Sequence, residues 1–204
     1  PGGLCARLLN IPLVIHEQNA IAGTANKLLA RFAQRVLSAF PDVFPAGECV
    51  GNPVRKTIAA LAQQARPVVI QDRRPRLLVV GGSLGARALN TLVPEALALL
   101  PEENRPEIFH QAGRALCEET RAMYERYHIA AKVEPFIDDM ATMYQWADIA
   151  ICRSGAMTVS ELACAQLPAF LVPFPFAIDD HQFHNALWLE KAGGARLFLQ
   201  AELM

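Results

Sequence analysis

Four short stretches of this chain combine the residue types that hold phosphates and sugars. The first is Gly81-Gly82-Ser83-Leu84-Gly85, set between the apolar run Leu77–Val80 and a segment with apolar residues at helical spacing. Glycines let the chain turn sharply and let a ligand approach backbone amides. The helix that follows offers unpaired N–H groups and the positive end of its dipole, so an anion is the expected guest. The same residues also fit a plain strand-to-helix turn. A nicotinamide-dinucleotide loop fits poorly: the spacing is not G-x-G-x-x-G, and the next apolar run ends in His110 and Gln111 rather than in a carboxylate for a ribose.

The second stretch runs from Cys152 to Glu161, "CRSGAMTVSE", a further strand–turn–helix pattern. Thr158 and Glu161 have the T-x-x-E spacing of a capping box. If Ser154 caps the helix instead, both lie in its first turns and face the crevice, where a carboxylate suits a ribose diol. The third, "DDHQFHNA" (179–186), places Asp179 and Asp180 where either could cap a helix, and His181 and His184 at a spacing too sparse for a metal site without a third ligand. The fourth, "GNPVR" (51–55), fixes a turn and then offers Arg55, either a solvated linker side chain or a guanidinium fork for a diphosphate.

These stretches need a scaffold, and the rest of the chain reads as one. Strand-like runs at 12–19, 35–40, 75–80, 107–113, 131–136, 148–155, 167–173 and 195–200 alternate with helical patterns at 24–35, 84–100, 114–127, 138–147, 156–166 and 181–193. The first helical pattern rests on Leu28, Leu29, Phe32 and Val36. Several strand runs are continuously apolar, as in a parallel sheet covered on both faces. The fold class is α/β, doubly wound, and ligands of such sheets sit beyond the carboxyl ends of the strands. The Pro- and Gly-rich stretch at 41–57 breaks the rhythm and marks a domain boundary.

The 204 residues are 52% hydrophobic and 19% charged, with a formal net charge of −1. That balance gives no electrostatic footprint for nucleic acid. No run reaches the roughly 18 apolar residues of a spanning helix. Five scattered cysteines without a C-x-x-C pair read as reduced, packed thiols of a cytosolic protein. Lys27, Arg31 and Arg35 read as a solvated helix face rather than a lipid anchor.

Taken together, "HEQNAIAGTANKLLA", "VGNPVR", "VVGGSLGARALN", "FIDDMATMYQWADIAICRSGAMTVSELA" and "LPAFLVPFPFAIDDHQFHNA" occur in an order, over almost the whole chain, that resembles the MurG family of peptidoglycan synthesis. The resemblance implies a GT-B fold of two Rossmann-like doubly wound domains. It implies inverting transfer of GlcNAc from UDP-GlcNAc to the 4-hydroxyl of lipid-linked muramyl-pentapeptide (lipid I, giving lipid II), with no metal and no cofactor. It also implies a peripheral site of action on the cytoplasmic face of the bacterial inner membrane.

Residues 1–50 would be the remnant of an acceptor-side domain, 51–57 a linker, and 58–204 the donor-binding domain. Elements that the family carries at both ends fall outside this sequence, among them the membrane contact and the general base. The stretch as given would then bind donor without turning it over, and His16 is the residue to examine if it did turn over.

On the donor side the resemblance assigns Asn19 to the sugar. Arg55, Gly82 and Ser83 go to the diphosphate, and Ile137 to the uracil through its backbone, near Arg153. Ala156 and Met157 would offer backbone groups, Thr158 a hydroxyl to phosphate, Glu161 a carboxylate to the ribose, and His181 and Gln182 bonds to the GlcNAc hydroxyls. Other UDP-sugar enzymes of the same fold, such as a UDP-GlcNAc 2-epimerase, or a non-catalytic nucleotide-sugar-binding module, would share much of this set.

Overall fold

The computed structural model of the chain describes residues 2–66, 73–82 and 84–203. Helix α1 (Gly2–Leu8) leads into β1 (Val14–Glu17), α2 (Thr24–Leu29), β2 (Arg35–Ser38) and β3 (Glu48–Cys49). These three strands form a parallel sheet in the order β1-β2-β3. After α3 (Lys56–Ala59) and a 3₁₀ turn at Ala60–Gln63, strands and helices alternate strictly. They are β4 (Arg76–Val80), α4 (Arg87–Ala98), β5 (Glu107–Gln111), α5 (Cys117–Arg126), β6 (Lys132–Glu134), α6 (Met140–Trp146), β7 (Ile149–Cys152), α7 (Ala156–Ala165), β8 (Ala169–Leu171), α8 (His181–Lys191) and β9 (Ala195–Leu197). The second sheet is parallel throughout, in the order β6-β5-β4-β7-β8-β9. That is the 3-2-1-4-5-6 order of a doubly wound sheet, with its switch point between β4 and β7.

Strand β4 shows why its sequence is continuously apolar. Successive side chains point to opposite faces. Leu78 and Val80 enter the core built with α6, α7 and α8, which also takes in Phe40, Ile58 and Leu61. Leu77 and Val79 enter the core built with α4 and α5. Neither face of the strand can be polar. Burying an aliphatic side chain contributes about 1.5–3 kcal/mol, so these four residues anchor both layers.

Element boundaries differ from the sequence reading for local reasons. Helix α2 stops at Leu29, well short of residue 35, because β2 must run beside β1; Gln34 N–H already bonds Leu13 O at 2.8 Å, and Val36 is a strand residue. Helix α4 begins at Arg87, not at 84. Gly85 at φ +77° and extended Ala86 hold the preceding turn open, and Leu84 stays 86% exposed. The Pro/Gly-rich break contains the two-residue strand β3 and runs into α3 with its 3₁₀ turn; these elements were too short to show a repeat. Arg66 then donates to the carbonyls of Tyr144, Ala147 and Ala165, capping the ends of α6 and α7.

Candidate functional site

At the switch point the chain leaves β4 for one face of the sheet and β7 for the other, so a crevice opens between the two following helices. A cavity of about 910 Å³ fills it. Gly81, Gly82, Leu84 and Gly85 line one wall, with Arg87 and Ala88 from the first turn of α4. Arg153, Gly155 and Thr158 line the other, with Phe174, Gln182 and Gln200 closing the rim. Two helix N-termini thus converge on one space, and their unpaired N–H groups and dipoles favour an anion.

The glycines of the first loop have separate tasks. A Cβ on Gly81 would come 2.4 Å from Ala86 N, and one on Gly85 would come 2.0 Å from Ala112 O. Both are packing glycines. Gly82, at φ +86°, has nothing within 4 Å of its Cβ direction and borders the cavity. Ser83 lies outside the described residues. Behind the loop, His110 is fully buried between Asn90 and Tyr124. Burial lowers its pKa to about 3, so the ring is neutral. Asn90 donates its NH₂ to Ala112 O at 2.9 Å, which leaves its Oδ1 to accept from His110 Nε2–H, and Nδ1 then accepts the Tyr124 hydroxyl.

The second loop overturns two local readings. Helix α7 begins at Ala156 with Gly155 as its cap residue, so Thr158 and Glu161 do not form a capping box. Ser154 does not cap either; fully buried, its hydroxyl donates to Gln182 O at 2.8 Å and pins the start of α8. Thr158 faces the cavity, while Glu161 accepts the Tyr144 hydroxyl at 2.9 Å. Burial and this carboxylate both push the Tyr144 pKa up, and the Arg55 charge acts in the opposite sense. Arg55 is exposed at the start of α3 and is not part of the cavity lining.

Arg153 is half-buried and committed: it donates to Val172 O and Pro173 O at 3.0 Å and to Gln200 Oε1 at 2.7 Å, and stacks over Phe174. Ala156 is buried and Met157 is 39% exposed on the first turn of α7. Ile137 is buried, and its N–H donates to Gln111 Oε1 at 3.1 Å.

In the third stretch, Asp179 and Asp180 both adopt left-handed φ (+55° and +50°), and Asp180, at the cap position of α8, makes no side-chain cap bond. Gln182 Oε1 accepts Phe174 N–H at 2.9 Å. His181 is the first residue of α8 and partly exposed. Among the described residues no group of three His, Cys, Asp or Glu side chains is set to hold a metal ion.

Asn19 belongs to the other sheet yet reaches this region. Glu17, buried at the end of β1, accepts bonds from Asn19, Gly23 and Asn26. Burial pushes its carboxyl up, but those bonds outweigh it and hold the pKa below the usual carboxylate value. The loop so fixed presents Asn19 Oδ1 to Asn185 Nδ2 at 3.2 Å. Asn185, fully buried in α8, also bonds Ala20 N and Ser154 O. Asn52 makes a second joint through Gln18 O and Ser160 Oγ. His16 Nε2 donates to Gly51 O at 3.0 Å, turned toward the same connection.

Sequence reasoning gave no role to Arg87, Gln111, Asn185 or Gln200, although the first three stand in stretches it singled out. Arg87 alone had a local signal, a cation one turn beyond a glycine loop. It lines the cavity while its guanidinium bonds the Glu119 carboxylate at 2.6 and 2.8 Å.

Comparison with known proteins agrees with this architecture. Residues 76–204 match the glycosyltransferase family 28 C-terminal domain and residues 1–38 the glycosyltransferase family 28 N-terminal domain. The chain is 57% identical over 203 residues to the UDP-N-acetylglucosamine–N-acetylmuramyl-(pentapeptide) pyrophosphoryl-undecaprenol N-acetylglucosamine transferase of Ectopseudomonas mendocina, and 58% identical to that of Pseudomonas paraeruginosa. Each match covers 98% of this chain and 56% of the relative, so the chain spans a little over half the length of these proteins. The crystal structure of Acinetobacter baumannii MurG superposes with a TM-score of 0.84 at 45% identity, over 100% of this chain and 58% of that one.

Proposed function

Because the chain belongs to glycosyltransferase family 28, we propose that it holds the donor in an inverting, metal-independent N-acetylglucosaminyltransferase. The reaction moves GlcNAc from UDP-GlcNAc to the 4-hydroxyl of lipid I, giving lipid II. One observation carries the donor reading: two helix N-termini and a glycine loop converge on a single cavity at the switch point of the sheet. A departing UDP carries its developing charge on the diphosphate. Fixed N–H dipoles aimed there stabilise it without reorganising.

In this reading Gly82 admits the diphosphate to the loop amides, with Ser83 beside it, and Thr158 donates its hydroxyl. Glu161 takes the ribose diol, held by Tyr144. Arg55, exposed at the start of α3, supplies its guanidinium to the diphosphate from outside the cavity lining. The uracil lies by the carbonyl of Ile137, since the N–H is engaged with Gln111. Arg153 shapes the rim through its three carbonyl bonds, and Ala156 and Met157 supply backbone groups. Gln182 keeps its NH₂ for a GlcNAc hydroxyl because Phe174 N–H holds its oxygen, with His181 alongside and Asn19 approaching the sugar from the other half.

Residues 1–50 form the acceptor-side portion, 51–57 the linker and 58–204 the donor domain. No described helix is long and apolar enough to cross a membrane. The reading places the protein peripherally at the cytoplasmic face of the inner membrane, where lipid I is presented. The test is calorimetric titration with UDP-GlcNAc against UDP-glucose, an ADP-sugar and NAD. Saturable binding of UDP-GlcNAc in preference to the others supports the reading, and equal or absent binding refutes it.

A further inference from the structure

Gln111 joins two loops that the donor reading treats separately. It is the last residue of β5, 3% exposed, and is paired with Val80 at the end of β4. Its Nε2 donates to Gly82 O at 2.9 Å and its Oε1 accepts Ile137 N–H at 3.1 Å. The orientation of the side-chain amide follows from its partners, because a carbonyl can only accept and a backbone N–H can only donate. One side chain therefore fixes the glycine loop over α4 and the loop between β6 and α6 to the same strand end.

We propose that Gln111 is a positioning residue for a uridine diphosphate, setting the diphosphate and base subsites as one unit without touching the ligand. The inference rests on the donor reading above. The bond to Gly82 matters electrostatically. A peptide carbonyl facing the cavity would repel an anion, whereas a carbonyl held against β5 leaves the cavity wall to N–H groups. Gly82 O also accepts Gly85 N–H at 3.0 Å, which closes the turn within the loop, so the Gln111 bond is the one that ties that turn to the end of β5. The bond to Ile137 fixes the second loop, so a nucleotide meets both walls already in place and loses less entropy on binding.

Two variants separate this role from simple support of the fold. Gln111→Glu keeps an acceptor for Ile137 N–H but sets a carboxylate oxygen against Gly82 O. Gln111→Met removes both bonds at similar volume. Thr120→Val, which removes another buried hydrogen bond from Thr120 Oγ1 to Leu116 O, controls for lost stability alone. The ligands are UDP-GlcNAc, UDP and uridine, titrated by calorimetry, with thermal melts on each variant.

For Gln111→Glu, UDP-GlcNAc and UDP affinities should fall about 30-fold and uridine affinity less than about threefold. Gln111→Met should weaken all three, UDP by more than uridine, and carries the test if the charged variant does not fold. Thr120→Val should melt earlier and bind normally. Equal losses for UDP and uridine in both Gln111 variants, unchanged binding, or an equal loss in Thr120→Val would overturn the assignment. If the wild type binds none of the three, the donor reading falls and this inference with it; wild-type binding matched by the variants removes the Gln111 role alone.

Discussion

Gly82 and Gly85 lie three residues apart in one loop, both with left-handed φ, yet alanine at each should fail for a different reason. At Gly82 the added methyl meets nothing within 4 Å. The cost is then backbone strain alone, about 1–2 kcal/mol for a non-glycine residue in that region. In a chain of this size that lowers Tm by roughly 2–8 °C. Gly82 borders the cavity, so on the proposed donor reading a methyl there crowds the diphosphate, and UDP affinity should fall further than stability explains, by about tenfold or more.

At Gly85 the methyl would lie 2.0 Å from Ala112 O. That carbonyl cannot retreat freely, because it accepts Asn90 Nδ2 and its own residue's N–H is bonded to Glu134 O. Strain of about 1–2 kcal/mol, overpacking of about 1–3 kcal/mol and a weakened buried hydrogen bond of about 1 kcal/mol add to roughly 3–6 kcal/mol. This is a large share of the 5–15 kcal/mol typical of a domain. Thermal melts and UDP titrations of both variants decide the matter. Gly82→Ala should be folded and weak in binding, and Gly85→Ala should be largely unfolded near 37 °C. A Gly82→Ala protein with wild-type UDP affinity would refute the cradle, and a Gly85→Ala protein with wild-type Tm would refute the packing argument.

Tyr144→Phe removes one hydroxyl from Glu161 and should weaken UDP about three- to tenfold; if Glu161 serves the ribose diol, 2′-deoxy-UDP should feel the change less, and equal losses for the two would argue against it. His110 is neutral when folded, with its pKa lowered to about 3, and protonates when unfolded. Stability is therefore complete above the unfolded value near 6.5 and is lost as pH falls toward 3; between pH 7 and 5 the loss should be about 2 kcal/mol. Glu17, whose pKa is held below 4.5, adds its own loss only at lower pH. Urea midpoints at the two pH values, in the wild type and in His110→Gln, check this; the dependence should largely vanish in the variant. Asn185→Ala strips partners from Ala20 N and Ser154 O and should cost about 2–4 kcal/mol, read as a lower urea midpoint; an unchanged midpoint would show that Asn185 does not join the halves.

The parts of this molecule written in local pattern were legible from the sequence. Strand β4 announced two covered faces through four consecutive aliphatics, and the Gly81–Gly85 and Arg153–Gly155 stretches announced turns at one edge of a sheet. Roles that depend on a distant partner were not legible. Thr158 and Glu161 matched a capping box in spacing, but the helix starts at Ala156, so their true partners are the cavity and Tyr144. Gln111, at a strand's carboxyl end, and Asn185, in the stretch 179–186, stood where function was expected, but their roles were not legible, because an amide side chain reads as solvated until the fold brings it a carbonyl and an N–H. Asp180 does stand at the cap position of α8, but left-handed backbone there and at Asp179 leaves the cap without a side-chain bond.

The strand order has a consequence in time as well as in space. No two strands of the larger sheet form a hairpin, and the pairing that creates the crevice, Leu77 with Ile149 through Val80 with Cys152, waits until β5 and β6 and three helices have been spun out between them. Such distant closures make folding slow. A half-folded chain can hold β4 against β5 and still have no second wall. Nucleotide binding during refolding would therefore register the β4–β7 closure rather than the earlier β4–β5 pairing, and would lag the return of helical signal.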